Sequence, residues 1–306
     1  MSSINRLYSL FRNSSFIFLV AIVVGMAFSG GASATEHALV PVLALVMVIS
    51  ILDISLKAFL NFREVLPPVL VTLVLNFVVL AGTYIGLSYL LIDDPDLHRG
   101  FVLIAAVPPA VAVVPLTFIL GGNTRFSLLG NVAAYVVALA ITPLISTIFL
   151  GANVVDPSRL LITLGELIVV PIVLSRILRR TRIAESVDRW REPVVNWGFF
   201  LVIYTIVGLN RDILLEEPGT LLPAAAVAFI ATFVLSEVVN RVAKYFGVGK
   251  ADRISLMLLV TRKNGGAAGA IALIFFSATA AMPVAVMTAI SVLHFVWLSW
   301  WVKRMR

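Results

Sequence analysis

The chain has 306 residues, 60% of them hydrophobic and 13% charged, and its mean hydropathy is +1.06. That balance excludes an ordinary soluble domain, because so much apolar surface has to face lipid or other apolar helices. The net charge of +7 does not point to nucleic acid, since the basic residues cluster between apolar runs, and the absence of cysteine removes disulfides and thiolate metal sites.

About twenty apolar residues cross the hydrocarbon of a bilayer. Ten such runs follow one another, at about 14–32, 38–57, 66–92, 99–121, 125–150, 158–178, 195–213, 219–243, 252–278 and 282–302. The first resembles a signal peptide over Phe16 to Phe28, and its exit "SGGASATEHA" mimics a cleavage site; it is read as a retained first span. Asp53 with Lys57, and Glu237 with Arg241, stand four residues apart and read as ion pairs near the inner interface. Asn76 in the third run and Asn196 at the start of the seventh read as hydrogen bonders between helices. Glu166, in "LITLGELIVVP", lies roughly 10 Å along the sixth run from its outer end. It either lines a crevice, pairs with Arg262 or is a protonated, hydrogen-bonded acid. His294 stands alone in the tenth run and reads as packed. Trp297, Trp300 and Trp301 beside Lys303 and Arg304 read as an interfacial belt.

Charge placement orients the runs. With the N-terminus cytoplasmic, the inner segments carry 18 basic residues and the outer ones 3, Arg99, Arg159 and Arg211, while Arg262 and Lys263 stay in the membrane. Such a bias is the positive-inside pattern and puts both termini in the cytoplasm of an inner (plasma) membrane protein.

Two runs are interrupted. The fourth contains Pro108, Pro109 and Pro115, and proline removes a helix donor and clashes with the preceding turn. The ninth, "DRISLMLLVTRKNGGAAGAIAL", contains Asn264, Gly265 and Gly266 at a similar depth. The two interruptions sit about half a chain apart. Five runs per half make the second half enter from the opposite side. The expected fold is therefore an all-α polytopic membrane protein of ten transmembrane helices, two inverted five-helix repeats with crossed broken helices 4 and 9. Paired broken helices of this kind mark a transporter's midplane site.

The pairing of "PPAVAVVPLTFILGGNTRFSLLGNVAAYVVALAITPLIS" with "TRKNGGAAGAIAL", together with "PVLALVMVISILDISLKAFLNF" and "IVVPIVLSRIL", resembles the bile acid:sodium symporter family. That family lies within the bile/arsenite/riboflavin-type transporter superfamily, and the resemblance runs along essentially the whole chain. It implies a panel domain over 14–57 and 158–213 and a core domain over 65–150 and 219–303, with substrate in the crevice between them. It also implies sodium ligands, most of which are missing here. Val113 and Val114 stand where members carry a Ser-Asn pair, Leu259 where they carry a glutamate and Lys263 where they carry a glutamine. Ser127 matches a ligand serine, Asn131 replaces a ligand threonine, and Asn264 matches the family's asparagine.

A charge at the bilayer centre is costly, so Arg262 and Lys263 need a cavity, a partner or a substrate. The leading reading has the Lys263 ammonium replace a sodium ion near Ser127, Asn131 and the carbonyls freed at Pro108–Val114. A desolvated lysine there is also a candidate proton carrier. Arg262 would hold an anionic substrate, with Thr261, Asn264 and Glu166 as further substrate-binding candidates. The competing reading has both cations simply locking the crossing through buried carboxylates or carbonyls. The expected function is a secondary active or facilitative transporter of a small organic anion working by alternating access, with sodium or a proton as coupling ion, no cofactor, no metal site, and lipid as the other partner. A cation/proton antiporter is the alternative, but it needs an acidic pair in the fifth run, where Asn131 is the one strongly polar residue. An enzyme finds no support: the three histidines are scattered and no His-Glu-x-x-His occurs. Metalloid efflux of the arsenite type is disfavoured by the missing thiol.

Overall fold

The computed structural model describes residues 14–50, 52, 62–151, 156–181, 183–209, 211–216 and 218–304. Asp53 and Lys57 lie outside the described residues. In chain order the helices are α1 (Ser14–Ala27), α2 (Ala32–Glu36), α3 (Leu39–Ser50), α4 (Phe62–Leu73), α5 (Ala81–Leu91), α6 (Pro95–Ala106), α7 (Val113–Ile119), α8 (Thr124–Leu150) and α9 (Pro157–Leu164). They continue as α10 (Val170–Arg179), α11 (Ile183–Leu209), α12 (Arg211–Glu216), α13 (Pro218–Phe229), α14 (Leu235–Tyr245), α15 (Lys250–Leu259), α16 (Gly265–Phe275) and α17 (Ala278–Arg304). Three π-helical segments, Val74–Leu80, Gly165–Val169 and Ile230–Val234, join α4 to α5, α9 to α10 and α13 to α14.

The protein is all-helical among the described residues, as a polytopic membrane protein is. Among the described residues four helices are long and apolar enough to cross a bilayer: Arg63–Leu91, Thr124–Leu150, Leu221–Tyr245 and Ala278–Val302. A fifth is formed if Phe16–Ala27 and Ser29–Glu36, bent by 93°, count as one span. The fourth and ninth runs do not qualify because each is split into halves too short to span.

The split in the fourth run follows from local chemistry. Asp94 caps α6 by accepting from the Asp96 and Leu97 amides, and Pro95 opens its first turn. The residue before a proline avoids the helical region, and Val107 accordingly turns extended at ψ 159°. Pro115 does not contribute to this break. It falls in the first turn of α7, where its missing N–H costs no helix bond. Likewise Gly265 and Gly266 lie in the second half-helix rather than in the break; they are the first two residues of α16, which Asn264 caps by accepting from the Ala267 amide at 3.1 Å. The non-helical stretch of the ninth run is Val260 to Asn264.

The "GGN" junction before α8 is a helix stop followed at once by a start. Gly121 adopts φ +71°, and the Gly122 amide reaches back to the Thr117 carbonyl at 2.8 Å. Asn123 then caps α8 and donates to Asp252 at 2.7 Å, which ties this corner to the start of α15.

Both broken helices are central. Phe101 through Val107 and Met257 through Val260 are completely buried, as irregular backbone at membrane depth has to be. Around them α4 packs on α8, α16 on α17, and α6 on α5, α8 and α17. A second group forms where α11 packs on α1 and α3, and α10 on α3. Close approach of α8 to α4 relies on Gly130, where a Cβ would run into the Thr72 hydroxyl and the Pro68 carbonyl. Gly130→Ala is expected to destabilise by about 1–3 kcal/mol, read as a lower melting temperature in detergent; an unchanged midpoint would show that these helices can separate freely.

Candidate functional site

The two breaks meet. Pro109 and Lys263 form an antiparallel bridge. The Ala110 amide donates to the Arg262 carbonyl at 3.3 Å and the Asn264 amide to the Pro108 carbonyl at 2.9 Å. Backbone groups freed by one break are thus satisfied by the other.

Lys263 is 3% exposed. Its ammonium donates to Asn76 Oδ1 at 2.7 Å, to the Ala105 carbonyl at 2.7 Å and to the Val107 carbonyl at 2.9 Å. The Phe77 ring covers it at 4.7 Å. An ammonium has three donors, and all three are used on neutral oxygens. Ala105 and Val107 end α6, where carbonyls lack helix partners and the dipole is negative. The cation therefore sits where the broken helix concentrates acceptor oxygen. Its bonded neighbours differ from those expected. Ser127 instead accepts from Thr117 at 3.0 Å, and Asn131 donates to the Ala110 carbonyl at 3.1 Å. The lysine points to the C-terminus of α6, because its freed carbonyls are there.

Arg262 points the other way. Its guanidinium donates to the Ser291 carbonyl at 2.7 Å and approaches His294 Nδ1 at 3.2 Å, both on α17. His294 is fully buried and packs edge-on to Phe233. With Nδ1 accepting, the proton of neutral His294 sits on Nε2. Arg262 is 6% exposed, Asn264 5% and Thr261 0%. Thr261 bonds its own helix at the Met257 carbonyl, and Asn264 donates to the Tyr135 hydroxyl at 3.0 Å. These three candidate substrate residues are thus closed off here.

Glu166 does not pair with Arg262, whose partners are on α17. It lies exposed in the Gly165–Val169 π-segment, with no hydrogen bond or ion pair among the described residues. The Glu237–Arg241 pair forms as read, at 2.7 Å.

Asn76 is the residue whose importance the sequence understates. Besides accepting from Lys263, it donates to the Leu259 carbonyl at 3.2 Å and the Arg262 carbonyl at 3.3 Å. It thereby satisfies the end of α15 and the crossing at once. A lone amide in an apolar run was the signal; which backbone it would meet was not. The π-segment Val74–Leu80 holds it there.

The sequence model of the sodium bile acid symporter family matches residues 40–217, more than half of the chain. An uncharacterized sodium-dependent transporter of Bacillus subtilis, YocS, is 23% identical over 228 residues, covering 71% of this chain and 68% of that protein. Sodium/bile acid cotransporter 7 of Danio rerio is 25% identical over 178 residues, 55% of this chain and 52% of its own, and its Xenopus tropicalis namesake is 25% identical over 177 residues. The match thus spans about half the length of these vertebrate relatives. These relatives are transporters, not enzymes, and with the family model matching more than half of its length the chain is a member of the sodium bile acid symporter family.

Proposed function

We propose that the protein carries a small organic anion across the inner (plasma) membrane by alternating access, with the Lys263 ammonium standing in for a bound sodium ion. The observation that carries the reading is the lysine's set of three neutral oxygens at 2.7–2.9 Å, with no carboxylate among them. Carbonyl and amide oxygens are what a hard monovalent cation takes. The organic anion comes from the named bile acid cotransporters among its relatives, and from the positive end of α16, which opens at Asn264. Thr261 and Asn264 meet substrate only in a state that opens the crossing, whereas Arg262 stays tied to α17 through Ser291 and His294.

Ten spans in two inverted repeats provide the frame. Element bounds support this: α8 and α17 each have 27 residues, and α5 and α14 each have 11. π-Segments precede α5 and α14 alike. The packing group of α1, α3, α10 and α11 is the panel over 14–57 and 158–213, and the rest is the core over 65–150 and 219–303. Both termini are cytoplasmic. An antiporter is less well supported, because α8 carries no acidic residue.

The test is a thermal-shift screen of the purified protein against small carboxylates and sulfonates, with sodium or choline as counter-ion. A ligand held by the folded state alone raises the midpoint with its occupancy. Stabilisation by an anion, equal in both salts, is expected. Stabilisation by sodium alone would overturn the lysine-for-sodium reading.

A further inference from the structure

A groove of about 450 Å³ lies where α13 and α14 run beside α17. Its walls are Phe229, Phe233, Val234 and Trp297, and Glu237 and Arg241 stand at one end. The π-segment Ile230–Val234 turns these side chains toward α17. Phe229 and Phe233 stack at 4.8 Å, and Trp297 meets Phe233 at 5.7 Å, so the floor is a run of aromatic rings. Phe229, Val234 and Val238 are exposed, and the groove opens sideways to lipid.

The length of the groove matches one leaflet. Arg241 follows Phe229 by about 18 Å of helix, and half of the hydrocarbon core is about 15 Å thick. Phe233 packs edge-on to His294 at 5.0 Å, and His294 meets Arg262 of the crossing. The aromatic end of the groove therefore lies at the depth of the crossing. One turn of an α-helix, roughly 10 Å across and 5.4 Å high, displaces about 420 Å³. The groove thus takes a thin, flexible chain and not a helix of a second copy.

The other end is cationic. Arg241 pairs with Glu237 through Nε, and its side chain is 78% exposed, which leaves the terminal nitrogens to reach a second oxyanion. Lys244 is exposed one turn further on, in the last turn of α14. On α17, Trp300 follows Trp297 by one turn, and Arg304 covers the Trp300 ring at 3.7 Å. Arg304 stands about 15 Å beyond His294 along that helix, at the leaflet surface. The rim thus sets Arg241, Lys244 and Arg304 against Glu237, a positive excess at headgroup depth.

We infer that this groove binds one anionic phospholipid of the inner leaflet, an acyl chain along Phe229, Phe233 and Trp297 and the phosphate against Arg241, Lys244 and Arg304. Apolar contact alone does not choose among lipids, since every acyl chain supplies it. The rim makes the choice by headgroup charge. A chain in the groove also braces Phe233 against His294, so the lipid supports the crossing from the side. Binding depends on the groove and its rim, whatever the protein carries; only the leaflet follows from the proposed orientation.

The experiment strips the full chain of lipid in detergent and adds dioleoyl phosphatidylglycerol or dioleoyl phosphatidylcholine. Native mass spectrometry reads the lipid retained, and the melting midpoint is followed alongside. One phosphatidylglycerol per chain is expected, held about tenfold tighter than phosphatidylcholine and raising the midpoint. The combined variant Arg241→Ala, Lys244→Ala, Arg304→Ala is expected to melt like wild type without lipid and to hold the two lipids alike. Val234→Trp, which fills the groove and leaves the rim in place, is expected to retain neither. Equal retention of both lipids by wild type, or an undiminished preference for phosphatidylglycerol in either variant, overturns the inference. So does a lipid-free dimer that Val234→Trp splits, because a second copy then occupies the groove.

Discussion

Lys263→Ala will abolish transport and turn the protein into one that responds to sodium. The substitution leaves Asn76 Oδ1 and the carbonyls of Ala105 and Val107 without their donor. Each buried unpaired acceptor costs about 1–3 kcal/mol, so the variant melts well below wild type. The oxygens it exposes to one another suit a small monovalent cation. Sodium chloride is therefore expected to recover part of the lost midpoint where choline chloride does not, since a ligand at about 100 times its Kd contributes about 2.7 kcal/mol. Full transport by this variant, or a midpoint indifferent to sodium, would contradict the account of Lys263.

Arg262→Ala will act on stability before it acts on affinity. The guanidinium joins the crossing to α17 through Ser291 and His294. Truncating so large a buried side chain costs about 2–5 kcal/mol and leaves the Ser291 carbonyl with its helix bond alone. Arg262→Met restores most of the volume without the donors and separates packing from hydrogen bonding. Both variants are expected to melt lower and to hold a stabilising anion within about threefold of wild-type affinity, a change under about 1 kcal/mol. An affinity loss of about tenfold at an unchanged midpoint would assign Arg262 to the substrate instead.

Much of this was legible because proline, glycine and charge act locally. Pro108 and Pro109 announce a break wherever the helix runs, and Asp94 or Asn264 announces the start of one. Two adjacent cations in an apolar run announce a site. Other features depend on contacts across the fold. Pro115 reads as a breaker in sequence but sits in a first turn, a distinction only the position of Val113 decides. The acceptors of Lys263 are mostly backbone oxygens, to which the identities of Ala105 and Val107 offer no clue. Lys263 and Arg262 diverge from a non-helical stretch, the first toward the first half of the chain and the second toward the second half. The ladder of amide contacts made by Asn76 needed the π-segment, which has no sequence signature here.

Both adjacent cations are thereby accounted for without buried acids. They hold the crossing through backbone oxygen, one amide and one imidazole. This explains how the crossing stands with two cations buried inside it.

The most direct test of that claim is uptake of a radiolabelled organic anion, taurocholate or a stabilising carboxylate from the thermal-shift screen, into proteoliposomes bearing the wild-type protein, with sodium replaced by choline on both sides. The account predicts the same initial rate in either salt. A rate that collapses without sodium would mean that a sodium site operates beside Lys263, and that the lysine does not take the ion's place.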